Sequence, residues 1–181
     1  MMIINWGPIA ETEWVPSFDK ALEEHIRTYR NPKVRRASLS AWELLYRILA
    51  ENGLPVGGIA FEDGGKPYFK GNPVYFSIAH SHGVCAAAVS DRPVGVDVER
   101  IRDSYNPHMV ERSLSSREKE RYEGDFTHVW CRKEAVAKMT GRGIVGYPAG
   151  IDTTEYAFWE EKITYGGEEY WLAACEAPKE G

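Results

Sequence analysis

Arg92-Pro93-Val94-Gly95-Val96-Asp97-Val98-Glu99 is the stretch on which the fold turns. Val94, Val96 and Val98 recur with a period of two, the pattern of a strand with one face buried. Asp97 and Glu99 fall two apart on the opposite face. Their like charges repel unless something neutralises them. Adjacent hard oxygen ligands suit Mg²⁺, which keeps several waters and takes its remaining ligands from a substrate phosphate. A half-exposed edge strand with solvated acids is the plainer reading of the same residues. Asp91-Arg92-Pro93 reads as a turn, so the strand opens a new section of chain.

On the N-terminal side, residues 17–52 read as helical. Ser17 or Asp19 can cap a first helix, with Leu22, Ile26 and Tyr29 at helical spacing. Leu39, Leu44, Leu45, Ile48 and Leu49 mark a second helix, stopped at Gly53. Ile59–Glu62 and Lys66–Phe69 flank Asp63-Gly64-Gly65 as a hairpin. Val74–His80 and Val84–Ser90 flank Ser81-His82-Gly83 as another. On the C-terminal side the order repeats. Asn106-Pro107 can open a helix, and Ser115-Ser116-Arg117-Glu118 fits a capping box. Phe126–Thr140 is a helix stopped by Gly141 and Gly143. Tyr156–Tyr165 and Glu168–Ala174 form a last hairpin around Gly166-Gly167. The expected fold is α+β, with two pseudo-symmetric helix-plus-sheet halves, 1–93 and 94–181, and a site at their interface.

Composition narrows the classes. The 181 residues are 43% hydrophobic and 27% charged, an ordinary globular balance. Lys+Arg number 22 and Asp+Glu 27, and the resulting charge of −5 argues against a nucleic-acid partner. Cys85, Cys131 and Cys175 are odd in number and widely spaced, so no disulfide framework is implied and a reducing cytoplasm is expected. No apolar run is long enough to span a bilayer, and the first 16 residues lack the basic start and apolar core of a signal peptide.

Two further motifs bear chemistry. In the helix around Trp130-Cys131-Arg132-Lys133-Glu134-Ala135-Val136-Ala137-Lys138, Trp130, Glu134 and Lys138 stack at i, i+4 and i+8. Glu134 therefore shares a stripe with apolar residues and needs a cation there, either a metal or Lys138. An ordinary Glu–Lys pair on an amphipathic helix is the plainer alternative. Lys133 faces about 100° away and so has a different role. In Phe76-Ser77-Ile78-Ala79-His80-Ser81-His82-Gly83, a His and a Ser at a strand end can donate to a phosphate. A rival reading takes His80, His82 and Cys85 as zinc ligands, but it lacks a fourth ligand nearby.

Taken in order, Gly65-Lys66-Pro67, the turn at His80-Ser81, Gly95-Val96-Asp97-Val98-Glu99, and Trp130 to Lys138 followed by Gly141-Arg142-Gly143 resemble the 4′-phosphopantetheinyl transferase superfamily. The likeness runs from about Gly65 to Gly143. Short members of that family are single halves that trimerise. With two halves in 181 residues, this chain looks like a compact version of the longer, surfactin-synthetase-activating type, expected as a monomer. The resemblance implies transfer of the phosphopantetheine arm of coenzyme A to a serine of an acyl or peptidyl carrier protein, releasing adenosine 3′,5′-bisphosphate. It implies Mg²⁺ on Asp97, Glu99 and Glu134, with Glu134 as general base and Lys138 on the pyrophosphate. It implies coenzyme A contacts from Arg36, Lys66, Pro67, His80 and Ser81. Ala79 stands where the family often has Ser, which removes one donor; Ser77 or Ser81 could replace it. Cys131 reads as a packing residue. A non-catalytic coenzyme A or carrier-binding module of the same fold is the alternative.

Overall fold

The computed structural model describes residues 1–11, 19–144 and 148–179. Strand β1 (Ile3–Pro8) comes first, then helices α1 (Lys20–Arg27) and α2 (Pro32–Glu51). Strands β2 (Ile59–Phe61), β3 (Pro67–Phe69), β4 (Tyr75–Ser81), β5 (Val84–Ser90) and β6 (Val94–Arg100) follow. Helices α3 (Pro107–Ser113), α4 (Ser116–Arg121) and α5 (Phe126–Thr140) lead to two short 3-10 turns and to strands β7 (Trp159–Tyr165) and β8 (Glu168–Glu176).

Local sequence explains most of these boundaries. Asp19 caps α1 by accepting from the Leu22 N–H, and Asn31 caps α2, with Pro32 at its first position. Ser17, the other candidate cap, lies outside the described residues. Gly53 takes a left-handed φ of 61° just past α2. Ser115 and Glu118 close the capping box of α4 in both directions. Asp125 caps α5, and Gly141, at φ 71°, ends it.

The fold is α+β with antiparallel sheets. Strand order is β1-β5-β4 in one three-stranded sheet, β6-β8-β7 in the other, and β2-β3 in a small hairpin. Alternation then sorts the core into layers. Phe76, Cys85, Ala87 and Val89 face α1 and α2. Ala79, Val84, Ala86 and Ala88 meet Val94, Val96, Val98, Leu172 and Ala174 between the two larger sheets. Ala173 and Cys175 face Cys131, Ala135, Val136 and Met139 of α5. The sequence reading put helices before strands in the first half, and β1 amends that order. Its six residues end in Gly7-Pro8 and carry little strand signal, but β1 is an edge strand, where proline is tolerated.

Among the described residues the larger sheets share no backbone ladder. Instead β4 serines meet outward-facing amides of the edge strand β6. Ser77 Oγ accepts from the Val96 N–H at 3.1 Å, and Ser81 Oγ accepts from the Arg100 N–H at 3.3 Å. Both pairs have the same sequence offset, so β4 and β6 run side by side in one direction.

Candidate active site

Helix α5 approaches β6 so closely that a side chain at the contact would clash. A Cβ on Gly95 would lie 1.9 Å from Ala135 O and 2.5 Å from Met139 N. With Gly95, Asp97 and Glu99 on the same face of β6, this contact brings both acids beneath α5.

Asp97 is only 5% exposed. Lys138 Nζ donates to its Oδ1 at 2.6 Å, while Oδ2 is buried without a partner among the described residues. Burial pushes the Asp97 carboxyl up, and the Lys138 charge and hydrogen bond oppose that rise. Burial would lower Lys138, but the carboxylate more than offsets this and raises it. Helical spacing alone offers Lys138 as the partner of Glu134. Lys138 bonds Asp97 instead, because the deeper carboxylate has the greater need of a cation.

Glu99 is pushed up to about 7, first by burial and then by the Asp97 charge. Glu134 is raised by the same two causes. Asp97 thus raises both other carboxylates, while Lys138 acts against the rise at all three and Arg102 at Glu99. That orphaned oxygen and hard donor set match a divalent cation such as Mg²⁺. They do not close into a cage: among the described residues, no group of three or more His, Cys, Asp or Glu is arranged to hold an ion. The zinc alternative gains nothing either, since Cys85 is buried in the α2 layer with its Sγ 3.5 Å from Gly7 O.

Glu134 borders two cavities. One, of about 240 Å³, is lined by Lys66, Pro67, Ser77, Glu134, Lys138 and Gly141. The other, of about 310 Å³, is lined by Glu99, Arg102, Tyr105, Met109, Trp130 and Glu134. A more apolar cavity of about 710 Å³ adjoins the second and shares Arg102 and Tyr105 with it. Lys66 reaches across from the small hairpin, donating from Nζ to Met139 O at 2.9 Å near the C-terminus of α5, where a cation is favoured. His80 keeps an exposed side, and partial burial and the Lys138 charge hold its ring below the usual value.

Two expected phosphate ligands are engaged elsewhere. Ser81 Oγ lies 3.3 Å from Glu99 Oε2, and Arg36 pairs with Glu11 at 2.8 Å and does not line the Lys66 cavity. Ser77 and Ser81, the stand-ins for the hydroxyl missing at Ala79, both serve the seam with β6.

The neighbours in the tryptophan motif are structural. Lys133 is fully buried, pairs with Glu118 at 2.6 Å, and donates to Pro148 O and Ile151 O. Glu118 also accepts from the N–H and hydroxyl of Thr153. Cys131 is buried with its thiol pushed well up by burial, and donates to Trp171 O at 3.3 Å, a packing residue as expected. Sequence reasoning missed Arg102, Tyr105 and Thr127. Buried Thr127 holds the loop after β6 to α5 through Tyr105 Oη at 2.8 Å and the Arg102 N–H at 3.4 Å.

A buried Asp-x-Glu strand facing a Glu–Lys helix across a glycine contact is the pattern of acids and cations that phosphoryl-transfer sites use. Residues 93–175 match the family model described as 4'-phosphopantetheinyl transferase superfamily. The 4'-phosphopantetheinyl transferase psf-1 of Bacillus pumilus is 36% identical over 121 residues, 60% of this chain and 52% of the relative. The 4'-phosphopantetheinyl transferase of Bacillus subtilis is 29% identical over 103 residues, 51% and 46% respectively. The 4'-phosphopantetheinyl transferase AcpT of Salmonella typhi is 33% identical over 133 residues, 67% of each chain. The chain belongs to the 4'-phosphopantetheinyl transferase superfamily. It spans about half the length of the two Bacillus relatives.

Proposed function

We propose that this protein moves the phosphopantetheine arm of coenzyme A onto a serine of an apo acyl or peptidyl carrier protein. The observation that carries this is Glu134. It stands between a cavity edged by Lys66 and Lys138 and a cavity edged by Glu99, as a group acting between a diphosphate and an incoming hydroxyl must.

The chemistry balances as follows. The serine oxygen forms a bond to the phosphorus that carries pantetheine, and the bond from that phosphorus to the bridging oxygen breaks. Adenosine 3′,5′-bisphosphate leaves with the electron pair. The serine proton goes to Glu134 or to a water that it orients; its raised pKa favours uptake. Asp97, Glu99 and Glu134 would hold Mg²⁺, which when bound supplies charge neutralisation at the diphosphate. Lys138 holds Asp97 and adds positive charge beside the same oxygens. Lys66, Pro67 and His80 would contact coenzyme A, with Arg36 reaching it only after leaving Glu11, while the Ser81 hydroxyl stays with Glu99.

The equal strand orders of the two larger sheets, each with its first strand at an edge and its last strand central, support reading residues 1–93 and 94–181 as related halves. They also support the longer, two-half type and a monomer. The apolar cavity beside Arg102 and Tyr105, lined by Ile101, Val110, Leu114 and Phe126, supports a macromolecular co-substrate docking next to the carboxylates. Among the described residues no helix is long and apolar enough to cross a membrane, and three free buried cysteines support a cytoplasmic setting.

The test is to mix protein, coenzyme A, Mg²⁺ and a panel of apo carriers and read carrier mass. A gain of one phosphopantetheine on at least one carrier is expected. Coenzyme A binding with no gain on any of them would instead make the protein a binding module.

A further inference from the structure

We propose that His82 and Ser81 are positioning residues that orient the Glu99 carboxylate. The inference rests on the function proposed above only for the role of Glu99.

Among the described residues His82 is the only non-glycine with a positive φ, 52°. Ser81 pairs with Val84, so His82-Gly83 is a two-residue hairpin turn. Glycine is the residue that such a position favours, and a β-carbon there costs on the order of 1 kcal/mol. Strain of this kind in a structure points to a role for the residue that bears it. The exposed imidazole has its Nδ1 3.1 Å from Ser81 Oγ.

The hydrogen-bond inventory then fixes the direction of the contacts. A hydroxyl has one proton and two acceptor sites. Ser81 Oγ meets the Arg100 N–H, His82 Nδ1 and Glu99 Oε2. The backbone amide can only donate. Above the value of about 7 to which Glu99 is pushed, its carboxylate is ionised and can only accept, so the hydroxyl proton then goes to Glu99. The remaining acceptor site of Ser81 is filled only if Nδ1 carries a proton. The chain therefore runs from His82 Nδ1–H to Ser81, and from the Ser81 hydroxyl to Glu99 Oε2. Ser81 is 8% exposed, which leaves little access for water to replace a member. Burial and the charges of Arg100 and Arg102 hold the His82 ring below its usual pKa, consistent with a neutral imidazole. Such outer contacts fix the direction of a ligating carboxylate and leave its second oxygen, Oε1, outside the chain.

The experiment uses the full chain, with Mn²⁺ as a spectroscopic probe for Mg²⁺. Nitrogen-15 spectra of the metal-free protein, taken well above pH 7 so that Glu99 is ionised, should place the His82 proton on Nδ1, and Ser81→Ala should move it to Nε2. His82→Gly should melt at or above the wild-type temperature, because the turn is relieved. It should nevertheless bind Mn²⁺ about tenfold more weakly and lower kcat, with KM for coenzyme A unchanged. A wild-type proton on Nε2 overturns the proposal, as does wild-type Mn²⁺ affinity and kcat in His82→Gly. Loss of stability in step with activity in that variant also overturns it, leaving His82 a turn residue only. A wild-type Nδ1 proton in a protein that neither binds Mn²⁺ nor modifies a carrier supports the chain and counts against the proposed function instead.

Discussion

Gly95 and Ala135 meet backbone to backbone: a Cβ on Gly95 would sit 1.9 Å from the Ala135 carbonyl oxygen. Neither atom belongs to a flexible side chain that could step aside. Every alignment of Glu134 and Lys138 over Asp97 and Glu99 depends on that approach. Gly95→Ala should therefore push α5 from β6, costing about 3 kcal/mol or more in urea unfolding and abolishing transfer. A variant with wild-type stability would show that the helix has room to move.

Glu134→Gln should separate fold from chemistry. Burial and the Asp97 charge raise the Glu134 carboxyl, so its ionised form opposes folding above the usual carboxylate range. Removing the charge should leave the melting temperature at pH 8 unchanged or higher. Transfer should fall by a factor of about 100 or more, as for loss of a proton-transfer group. Carrier mass against time, with calorimetry on the same sample, checks both.

The Lys133–Glu118 pair should behave as a buried lock. Lys133→Met leaves a buried carboxylate facing no ammonium and should cost about 3–5 kcal/mol. Replacing both partners with apolar residues should recover much of that loss, since no charge is then stranded. The cycle is read from urea midpoints of the four proteins.

Acid sensitivity should trace to Glu160. Burial acts to raise its carboxyl, but hydrogen bonds from Arg132, both at 2.6 Å, and from His128 hold it down to about 2, against an ordinary 4.5. A depressed native pKa contributes stability that is complete above pH 4.5 and lost as pH falls toward 2. The contribution is about 3 kcal/mol. Glu160→Gln should lack this share at neutral pH and show a flatter stability curve across that window.

The sequence announced what depends on period and on end chemistry. The Val94–Val98 alternation, the Ser115–Glu118 box, Gly141 as the stop of α5 and the placement of Lys133 off the Glu134 face all appear in the structure. Contacts between distant segments were beyond its reach. That Lys138 turns to Asp97 rather than to Glu134 follows from relative depth, which no spacing encodes. Ser81 reads as a phosphate donor until β6 is known to lie alongside β4, which spends its hydroxyl on Glu99. Gly95 gave a weaker sign: a glycine inside an alternating strand marks a close backbone approach, although it does not say to what.

The hydroxyls of Ser77 and Ser81 on β4 stitch one β-layer's rim to the other, and Ser90 adds a third such bond to Glu176. A joint of that kind can be retuned one codon at a time, because neither ladder has to re-register when it changes. The spacing of the two layers is thereby a property that can drift among descendants of this architecture, while each sheet stays as it is.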